Sequence, residues 1–257
     1  MCLVTVALGM NEEYPFVFIG NRDEEYERPA SSIHFWQEFP SLLAGQDLKG
    51  GGTWLGITHD GKMATLLNHP FTGLTPQGEK ITRGRLVLDY LIEDTSPEEY
   101  GDQLVETRKS YEPYHFVFGS IDQLYLYSSG TDDFQKLAPN QILSISNTPD
   151  DLSNFRMNKA KNEVEDYVTS TENIDIDRLI EIFQDTEKNP NIQKFPEEIT
   201  KEEAEMNSSI FIEGEVFGTV STTAILVDKN GLVHEKEVKY NPNTITESTE
   251  KSFKIEK

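Results

Sequence analysis

Predicted strands that occur in hairpin pairs are the feature that most limits the folds open to this chain. Residues 3–8 and 15–20 are apolar runs separated by a turn at 9–13, and residues 53–58 and 62–68 form a second such pair. Strands joined by short turns pair antiparallel. Because these hairpins alternate with groups of helices, the sequence predicts an α+β protein whose antiparallel sheets are covered by helices.

The remaining elements keep the order strands, helices, strands, helices, strands. Ser96-Pro97-Glu98-Glu99 is a capping box with proline at the first helical position. Thr82 is a candidate N-cap for the preceding helix, which is expected to run to Asp94. We expect one domain over residues 1–257, with a core of about 1–240 and a frayed polar tail at 241–257. Predicted helices cover 82–94, 97–110, 154–168 and 176–185, predicted strands cover 115–119, 123–127, 141–146, 209–212, 216–227 and 232–240, and a mobile acidic loop covers 189–208.

The strongly negative charge of the chain disfavours two classes of binding partner. The formal net charge is −22 over 257 residues, so nucleic acid and anionic membrane surfaces are disfavoured. No apolar run approaches the roughly 18 residues of a membrane span, and no basic region precedes the short apolar start. We therefore expect no membrane insertion, no signal peptide and a cytoplasmic location.

Cysteine and histidine usage argues against a tightly held metal. Cys2 is the only cysteine, so an internal disulfide and a thiolate zinc site are excluded. The five histidines show no metal-ligand spacing. The sequence predicts no metal and no required cofactor.

The opening hairpin brings a charged tetrad to the start of the chain. With its centre near Asn11 or Glu12, Cys2 lies opposite Asn21 or Arg22, and opposed side chains are about 5 Å apart. The tetrad Asn21-Arg22-Asp23-Glu24 is therefore predicted to lie beside Cys2.

Cys2 has the properties of an N-terminal nucleophile. Removal of Met1 leaves an α-amino group with a pKa of about 7.7–8 beside a thiol with a pKa of about 8.5, so the amine is a suitable base for the thiol. Arg22 favours the thiolate, and Asp23 is expected to hold the ammonium or orient Arg22. The alternative is a small buried residue at a strand start. The aligned tetrad favours the nucleophile.

Asn68 and Asn147 are candidate oxyanion donors. Each ends an apolar strand, and neutral amide donors there suit acyl transfer, with each donor lowering the barrier by about 3 kcal/mol. Asparagine before a proline-containing turn, as in Asn68-His69-Pro70 and Asn147-Thr148-Pro149, is equally ordinary turn chemistry. Both interpretations stay open on the residues alone.

The motifs together resemble the NRDE family, the transport-and-Golgi-organisation type 2 proteins. The resemblance covers residues 1 to about 240; it is most specific in the first quarter and weak between about 95 and 200. It implies an N-terminal-nucleophile hydrolase-like fold, a four-layer αββα sandwich of two antiparallel sheets, and extends distantly to choloylglycine hydrolase and penicillin V acylase. The matching pieces are Met1-Cys2, Asn21-Arg22-Asp23-Glu24, Arg28-Pro29, Trp36, Ala44-Gly45-Gln46-Asp47, Gly51-Gly52-Thr53-Trp54-Leu55-Gly56, Leu67-Asn68, Arg83-Gly84-Arg85-Leu86, Ser146-Asn147, Phe217-Gly218-Thr219 and Ser221-Thr222-Thr223.

The resemblance also implies roles for single residues. Cys2 is the expected nucleophile, with Arg22 and Asp23 as activators and Asn68 and Asn147 as polar partners. Two departures stand out, since family members usually carry arginine where this chain has Val220 and often where it has Gln46. Residues expected to bind substrate are Asn21, Glu24, Trp54 and Arg83.

Two functions are compatible with this pattern. The favoured one is a cysteine amidohydrolase that cleaves a non-peptide C–N amide bond of a small molecule. The alternative is a non-enzymatic haem carrier, since some family members have been linked to haem trafficking. The chain lacks a CxxCH motif, and its negative charge disfavours the approach of haem propionates. A plain binding module on an inherited scaffold is a third interpretation, and no oligomeric state is predicted.

Overall fold

The computed structural model describes residues 2–69, 76, 81–147, 150–242 and 244–256, with backbone only at 150–153. The chain forms two compact units, and both are discontinuous in sequence. The first contains residues 1–27 and 139–252, and the second contains residues 28–138 and 253–257. The single domain over residues 1–257 stays a prediction.

The described residues form strands and helices in an order close to the expected one. The helices are α1 (Gly84–Ile92), α2 (Pro97–Thr107), α3 (Asp150–Ser170), α4 (Ile176–Ile182) and α5 (Lys201–Met206), with a 3₁₀ turn at Arg108–Ser110. The strands are β1 (Cys2–Leu8), β2 (Phe16–Glu25), β3 (Ala30–Phe35), β4 (Leu42–Asp47), β5 (Leu55–Thr58), β6 (Lys62–Asn68), β7 (Tyr114–Ser120), β8 (Gln123–Ser128), β9 (Asp133–Lys136), β10 (Gln141–Ser146), β11 (Phe217–Val227), β12 (Leu232–Tyr240) and β13 (Ile245–Lys254).

The first unit is built on a six-stranded sheet in the order β10-β1-β2-β11-β12-β13. Alternate residues of its strands, such as Leu3, Val17 and Ile19, are buried in one core with apolar residues of α3 and α4. This alternation follows from the two-residue period of a strand. One face of the sheet therefore carries the helices.

The second unit is built on a seven-stranded sheet in the order β3-β4-β5-β6-β7-β8-β9. Its core joins α1 and α2 to this sheet and is rich in aromatic rings. Tyr90 packs edge-on against Tyr100 and Phe118, with ring centroids 5.1 Å and 5.2 Å away, an arrangement that adds to plain area burial. The Tyr100 hydroxyl donates to the carbonyl of Leu86 at 2.8 Å, so the ring is buried without an unpaired polar atom.

All strand pairs with a described register are antiparallel, and each sheet has helices packed against it. The predicted α+β class with two antiparallel sheets is therefore confirmed. The capping box of α2 is also confirmed, because Ser96 accepts from the Glu99 N–H while the Glu99 side chain accepts from the Ser96 N–H. Thr82 does not cap α1, which begins at Gly84 after Arg83.

Three expectations differ from the structure. The tail expected to be frayed contains β13, which adds to the sheet beside β12; its Glu250 forms an ion pair with Lys236 at 2.6 Å and lies 3.4 Å from His234 Nε2. The acidic loop contains α5, whose capping box on Thr200 satisfies its first backbone donors. The strand expected at 209–212 is absent from this described segment, since its backbone bonds to a turn and to side chains.

Strands β3, β4 and β9 were not predicted, because their short sequences carry little alternation. Met1, Pro70 and Thr148-Pro149 lie outside the described residues. Within the described part of the chain, no helix combines the length and the apolar character needed to cross a membrane.

Candidate active site

The opening hairpin pairs Cys2 with Arg22. The register of β1 and β2 sets Cys2 opposite Arg22 and Leu3 opposite Asn21, so the predicted meeting of the chain start with the tetrad is confirmed. Strand β11 pairs with the other edge of β2, with Thr219 opposite Asp23. The charged tetrad therefore lies on a strand that has neighbours on both sides.

Strand alternation divides this tetrad between the two faces of the sheet. Leu3 lies in the core with α3 and α4, so Cys2 and its partner Arg22 point to the opposite face. Asp23 points to the helix face, where it bonds to Arg156 of α3. The Cys2 thiol and the Asp23 carboxylate therefore lie on opposite faces of the sheet and interact electrostatically.

Asn147 holds the backbone of Cys2. The Cys2 nitrogen donates to Asn147 Oδ1 at 2.8 Å, and the Asn147 nitrogen donates to the Cys2 carbonyl at 3.3 Å. Because a donor fixes the oxygen of this amide, Nδ2 is directed elsewhere. Asn147 is 1% exposed, and Nδ2 has no hydrogen-bond partner among the described residues. A buried amide donor without a partner is available for a ligand oxygen.

Asp23 is buried in a set of charged and polar bonds. Its Oδ1 accepts from the Thr219 hydroxyl at 2.7 Å, and its Oδ2 accepts from Arg156 Nη2 at 2.9 Å. Arg156 Nη2 also donates to the Ile210 carbonyl at 3.0 Å. The Asp23 and Arg156 side chains are both fully buried. This ion pair therefore lies inside the protein within electrostatic reach of Cys2.

Burial raises the pKa of the Cys2 thiol above its ordinary value, although the residue keeps some exposed surface. The Asp23 charge raises this pKa further, whereas the chain's amino terminus, the Asp23 backbone N–H and the Arg22 guanidinium act to lower it. The resting group is therefore a thiol, and nucleophilic attack requires a base that removes its proton.

The other two members of the tetrad have structural bonds. Asn21 is 2% exposed; its Nδ2 donates to the carbonyls of Phe183 and Ile210, both at 2.9 Å, and its Oδ1 accepts from Thr222 at 2.7 Å. Asn21 thus anchors β2 to the helix side of the sheet. A Glu24 carboxylate oxygen lies 3.8 Å from the Arg22 guanidinium. Their predicted contact with substrate stays a prediction.

Asn68, Trp54 and Arg83 belong to the second unit. Asn68 ends β6 opposite Tyr114, and the Trp54 carbonyl accepts from the Leu66 N–H at 2.9 Å. Arg83 Nη1 donates to the Pro113 carbonyl at 3.0 Å. Their roles in catalysis and substrate binding stay predictions.

The two departures from the family pattern have different surroundings. Val220 lies at a β-bulge, because the register of β2 and β11 shifts between Thr219 and Ser221. Gln46 lies in β4 of the second unit, and its N–H donates to Ser31 Oγ at 2.9 Å. An arginine in place of Val220 would therefore extend from the strand that also carries Thr219.

Arg156 is the site residue that sequence reasoning missed. It lies on α3, which is separated from Asp23 by 133 residues. One signal was present, because Arg156 continues at four-residue spacing the stripe Ala160, Val164 and Val168, all 0% exposed. A cation on such an apolar stripe requires a buried anion.

A second titratable cluster lies in the second unit. The His69 and His115 rings stack with centroids 3.8 Å apart, and His115 Nδ1 lies 2.8 Å from Ser128 Oγ. Burial, with a smaller contribution from His69, lowers the pKa of His115 to about 3. The His115 imidazole is therefore neutral at physiological pH. Over the described ranges, no group of three or more His, Cys, Asp or Glu side chains is arranged to hold a metal ion.

Comparisons with known proteins place this geometry among relatives. A family model described as Transport and Golgi organisation 2 matches residues 1–242. The Transport and Golgi organization 2 homolog of Mus musculus is 26% identical over 238 residues, which cover 86% of this chain and 84% of that protein. The Homo sapiens homolog is 40% identical over 92 residues, covering 34% of this chain and 32% of that protein.

Solved structures show a similar fold. Two mutant structures of conjugated bile acid hydrolase from Clostridium perfringens match with TM-scores of 0.54 and 0.56, at 12% and 13% identity. The first match covers 99% of this chain and 97% of that chain, and the second covers 98% and 97%. At this identity the likeness shows the fold alone, and it confirms the predicted N-terminal-nucleophile hydrolase-like fold.

Proposed function

The chain belongs to the Transport and Golgi organisation 2 family, and from the Cys2 site described above we propose that it is an N-terminal cysteine amidohydrolase. Its substrate is a small molecule with a non-peptide C–N amide bond. The observation that carries the proposal is the 2.8 Å hydrogen bond from the Cys2 nitrogen to Asn147 Oδ1. It fixes the atom that becomes the α-amino group once Met1 is removed.

The freed amine is the base in this mechanism. It takes the proton of the buried thiol, and the resulting thiolate attacks the amide carbonyl carbon and forms a C–S bond. The proton then passes from the ammonium to the leaving nitrogen as the C–N bond breaks. A water molecule, deprotonated by the same amine, hydrolyses the acyl-thioester and restores the thiol.

Two charges adjust the nucleophile. Arg22, opposite Cys2 in the hairpin, favours the thiolate over the thiol. Asp23 opposes the thiolate through its charge, while its backbone N–H stabilises the sulfur. The thiol thus stays protonated at rest and becomes reactive when the amine accepts its proton.

Asn147 is the proposed oxyanion donor. Its Oδ1 is engaged by Cys2, so its buried Nδ2 is the group free to bind the tetrahedral oxyanion. The same side chain would position the base and stabilise the developing charge. The fold shared with conjugated bile acid hydrolase is compatible with a hydrolase, but the substrate class rests on the Cys2 site.

The alternative haem carrier needs an axial ligand for the haem iron, a role that a cysteine thiolate can also fill. The proposed amidohydrolase requires neither haem nor another cofactor. The cytoplasmic location expected from the sequence stays a prediction.

The test begins with the intact mass of the purified protein, which shows whether Met1 has been removed. The protein is then incubated with a panel of N-acyl glycine and N-acyl ethanolamine amides, and acid-quenched samples are searched by mass spectrometry for an acyl-thioester on Cys2. We expect turnover and an adduct in the wild type, and neither in Cys2→Ala.

Asn147→Ala should lower kcat about 100- to 1,000-fold, as expected for loss of an oxyanion donor. Asn162→Ala, on the exposed side of α3, is the matched control and should keep full activity. Retained Met1, or turnover that survives Cys2→Ala, would refute the proposal. A Soret shift on haem titration together with no turnover would favour the carrier.

A further inference from the structure

The Asp23–Arg156 pair is an ion pair in the interior of the first unit. Both side chains are fully buried, with 2.9 Å between Nη2 and Oδ2. The guanidinium is held by its Nη2 alone, because Nε and Nη1 have no partner among the described residues. Removing two charges from water costs several kcal/mol per ion, so such a pair adds little net stability. A role in the neighbouring site accounts for it better than stability does.

Asp23 acts on Cys2 in two opposite ways. Its carboxylate disfavours a second negative charge nearby, and its backbone N–H favours the thiolate. A cation bound to the carboxylate weakens the first effect and leaves the second. Arg156 is placed to do this from the helix side of the sheet, where it does not obstruct the face that carries Cys2.

We propose that Arg156 is a positioning residue of the Cys2 site: it offsets part of the Asp23 charge and fixes this residue so that its backbone N–H faces the sulfur. The inference rests on the proposed function, in which the Cys2 thiolate is the nucleophile. Thr219 completes the arrangement by holding the other carboxylate oxygen at 2.7 Å. Arg156 thus acts on the nucleophile through Asp23 and does not contact the reacting atoms.

Other charged and titratable groups of the first unit also face this region. Arg22 lies opposite Cys2, and Glu24 lies 3.8 Å from Arg22. Burial raises the pKa of Tyr26, and the Asp23 charge contributes to that shift. These groups are the same in every variant below, so differences between variants report on Arg156 and Asp23.

The test measures how fast iodoacetamide alkylates Cys2 in the full chain with Met1 removed. Cys2 is the only cysteine, so the rate reports on this thiol alone. Rates are taken from about pH 6 to about pH 10, a span that brackets the ordinary cysteine pKa. Circular dichroism establishes that each variant is folded.

Arg156→Met should slow alkylation about tenfold near neutral pH and shift its pH profile upward, because Asp23 is then unbalanced. Arg156→Lys keeps the positive charge and should stay within about threefold of wild type. Arg178→Met is the matched control, since Arg178 is an exposed arginine of α4 paired with Glu181, and it should leave the profile unchanged. A folded Arg156→Met variant with an unchanged profile would overturn the inference.

If Arg156→Met does not fold, the inference is tested by comparing Asp23→Asn with a double variant. Asp23→Asn leaves the Arg156 cation unbalanced and should speed alkylation at neutral pH. Adding Arg156→Met to Asp23→Asn should bring the rate back toward wild type, whereas equal rates in the single and double variants would overturn the inference.

Alkylation does not depend on turnover, so the two proposals fail separately. A clear Arg156 effect on alkylation in a protein that hydrolyses no amide would refute the proposed function only. Amide turnover by a protein whose Cys2 alkylation rate does not depend on Arg156 would refute this inference only.

Discussion

His115 should make the protein lose stability as the solution becomes mildly acidic. The pKa of the folded side chain is lowered to about 3, chiefly by burial, against an unfolded value near 6.5. The native imidazole is therefore neutral, while the unfolded chain takes up a proton below about pH 6.5. The contribution is fully present above that pH and is lost as pH falls toward 3.

The expected size follows from this difference. Between the two pKa values the free energy of unfolding falls by about 1.4 kcal/mol per pH unit, so the loss near pH 5 is about 2 kcal/mol. His115→Gln removes the titration and keeps a polar group that can bond Ser128 Oγ, which lies 2.8 Å from the ring nitrogen.

The assay is urea unfolding of the wild type and His115→Gln near pH 7.5 and near pH 5, followed by fluorescence. Carboxylate titrations are common to both proteins and cancel in the difference. We expect the difference in unfolding free energy to move by about 2 kcal/mol in favour of the variant on acidification. A difference that does not change with pH would contradict the burial argument.

Three further predictions concern buried and capping groups. Burial, followed by the Glu237 charge, raises the pKa of Glu235, whose carboxyl group has no partner within the described part of the chain. Native Glu235 holds a proton that the unfolded chain loses as pH rises, so the Tm advantage of Glu235→Gln should grow with pH, and a constant difference argues against it. Ser96→Ala removes the cap of α2 and should lower the unfolding free energy by about 1 kcal/mol in urea titrations, with no change contradicting the capping role. Asp47→Ala removes the 2.7 Å ion pair with Arg28 and two turn bonds, so calorimetry should show a loss of about 1–3 kcal/mol, and a neutral result argues against this anchor.

The features that the sequence predicted well are local ones. The Cys2–Arg22 pairing follows from one short turn, because turn length sets the register of a hairpin. The capping box at Ser96 is contained in four consecutive residues. In such cases the residues that interact are close in sequence, so pattern and structure coincide.

The features that were missed depend on distant contacts. Arg156 reaches Asp23 across 133 residues, and nothing near either residue specifies the other. Strand β13 is polar and mostly exposed, so it lacks the apolar alternation typical of a strand and forms because β12 offers it an edge. The bond from Cys2 to Asn147 depends on β10 pairing with β1, which no local pattern reveals.

The position of β1 between β2 and β10 has a consequence for biosynthesis. Strand β2 emerges from the ribosome soon after β1, but Gln141–Ser146 of β10 emerges only after more than a hundred further residues. At roughly 5–20 residues per second, the first strand waits several seconds or more with one edge unpaired. Methionine aminopeptidase, which acts on the emerging chain, therefore meets the terminus while β1 still lacks its β10 partner.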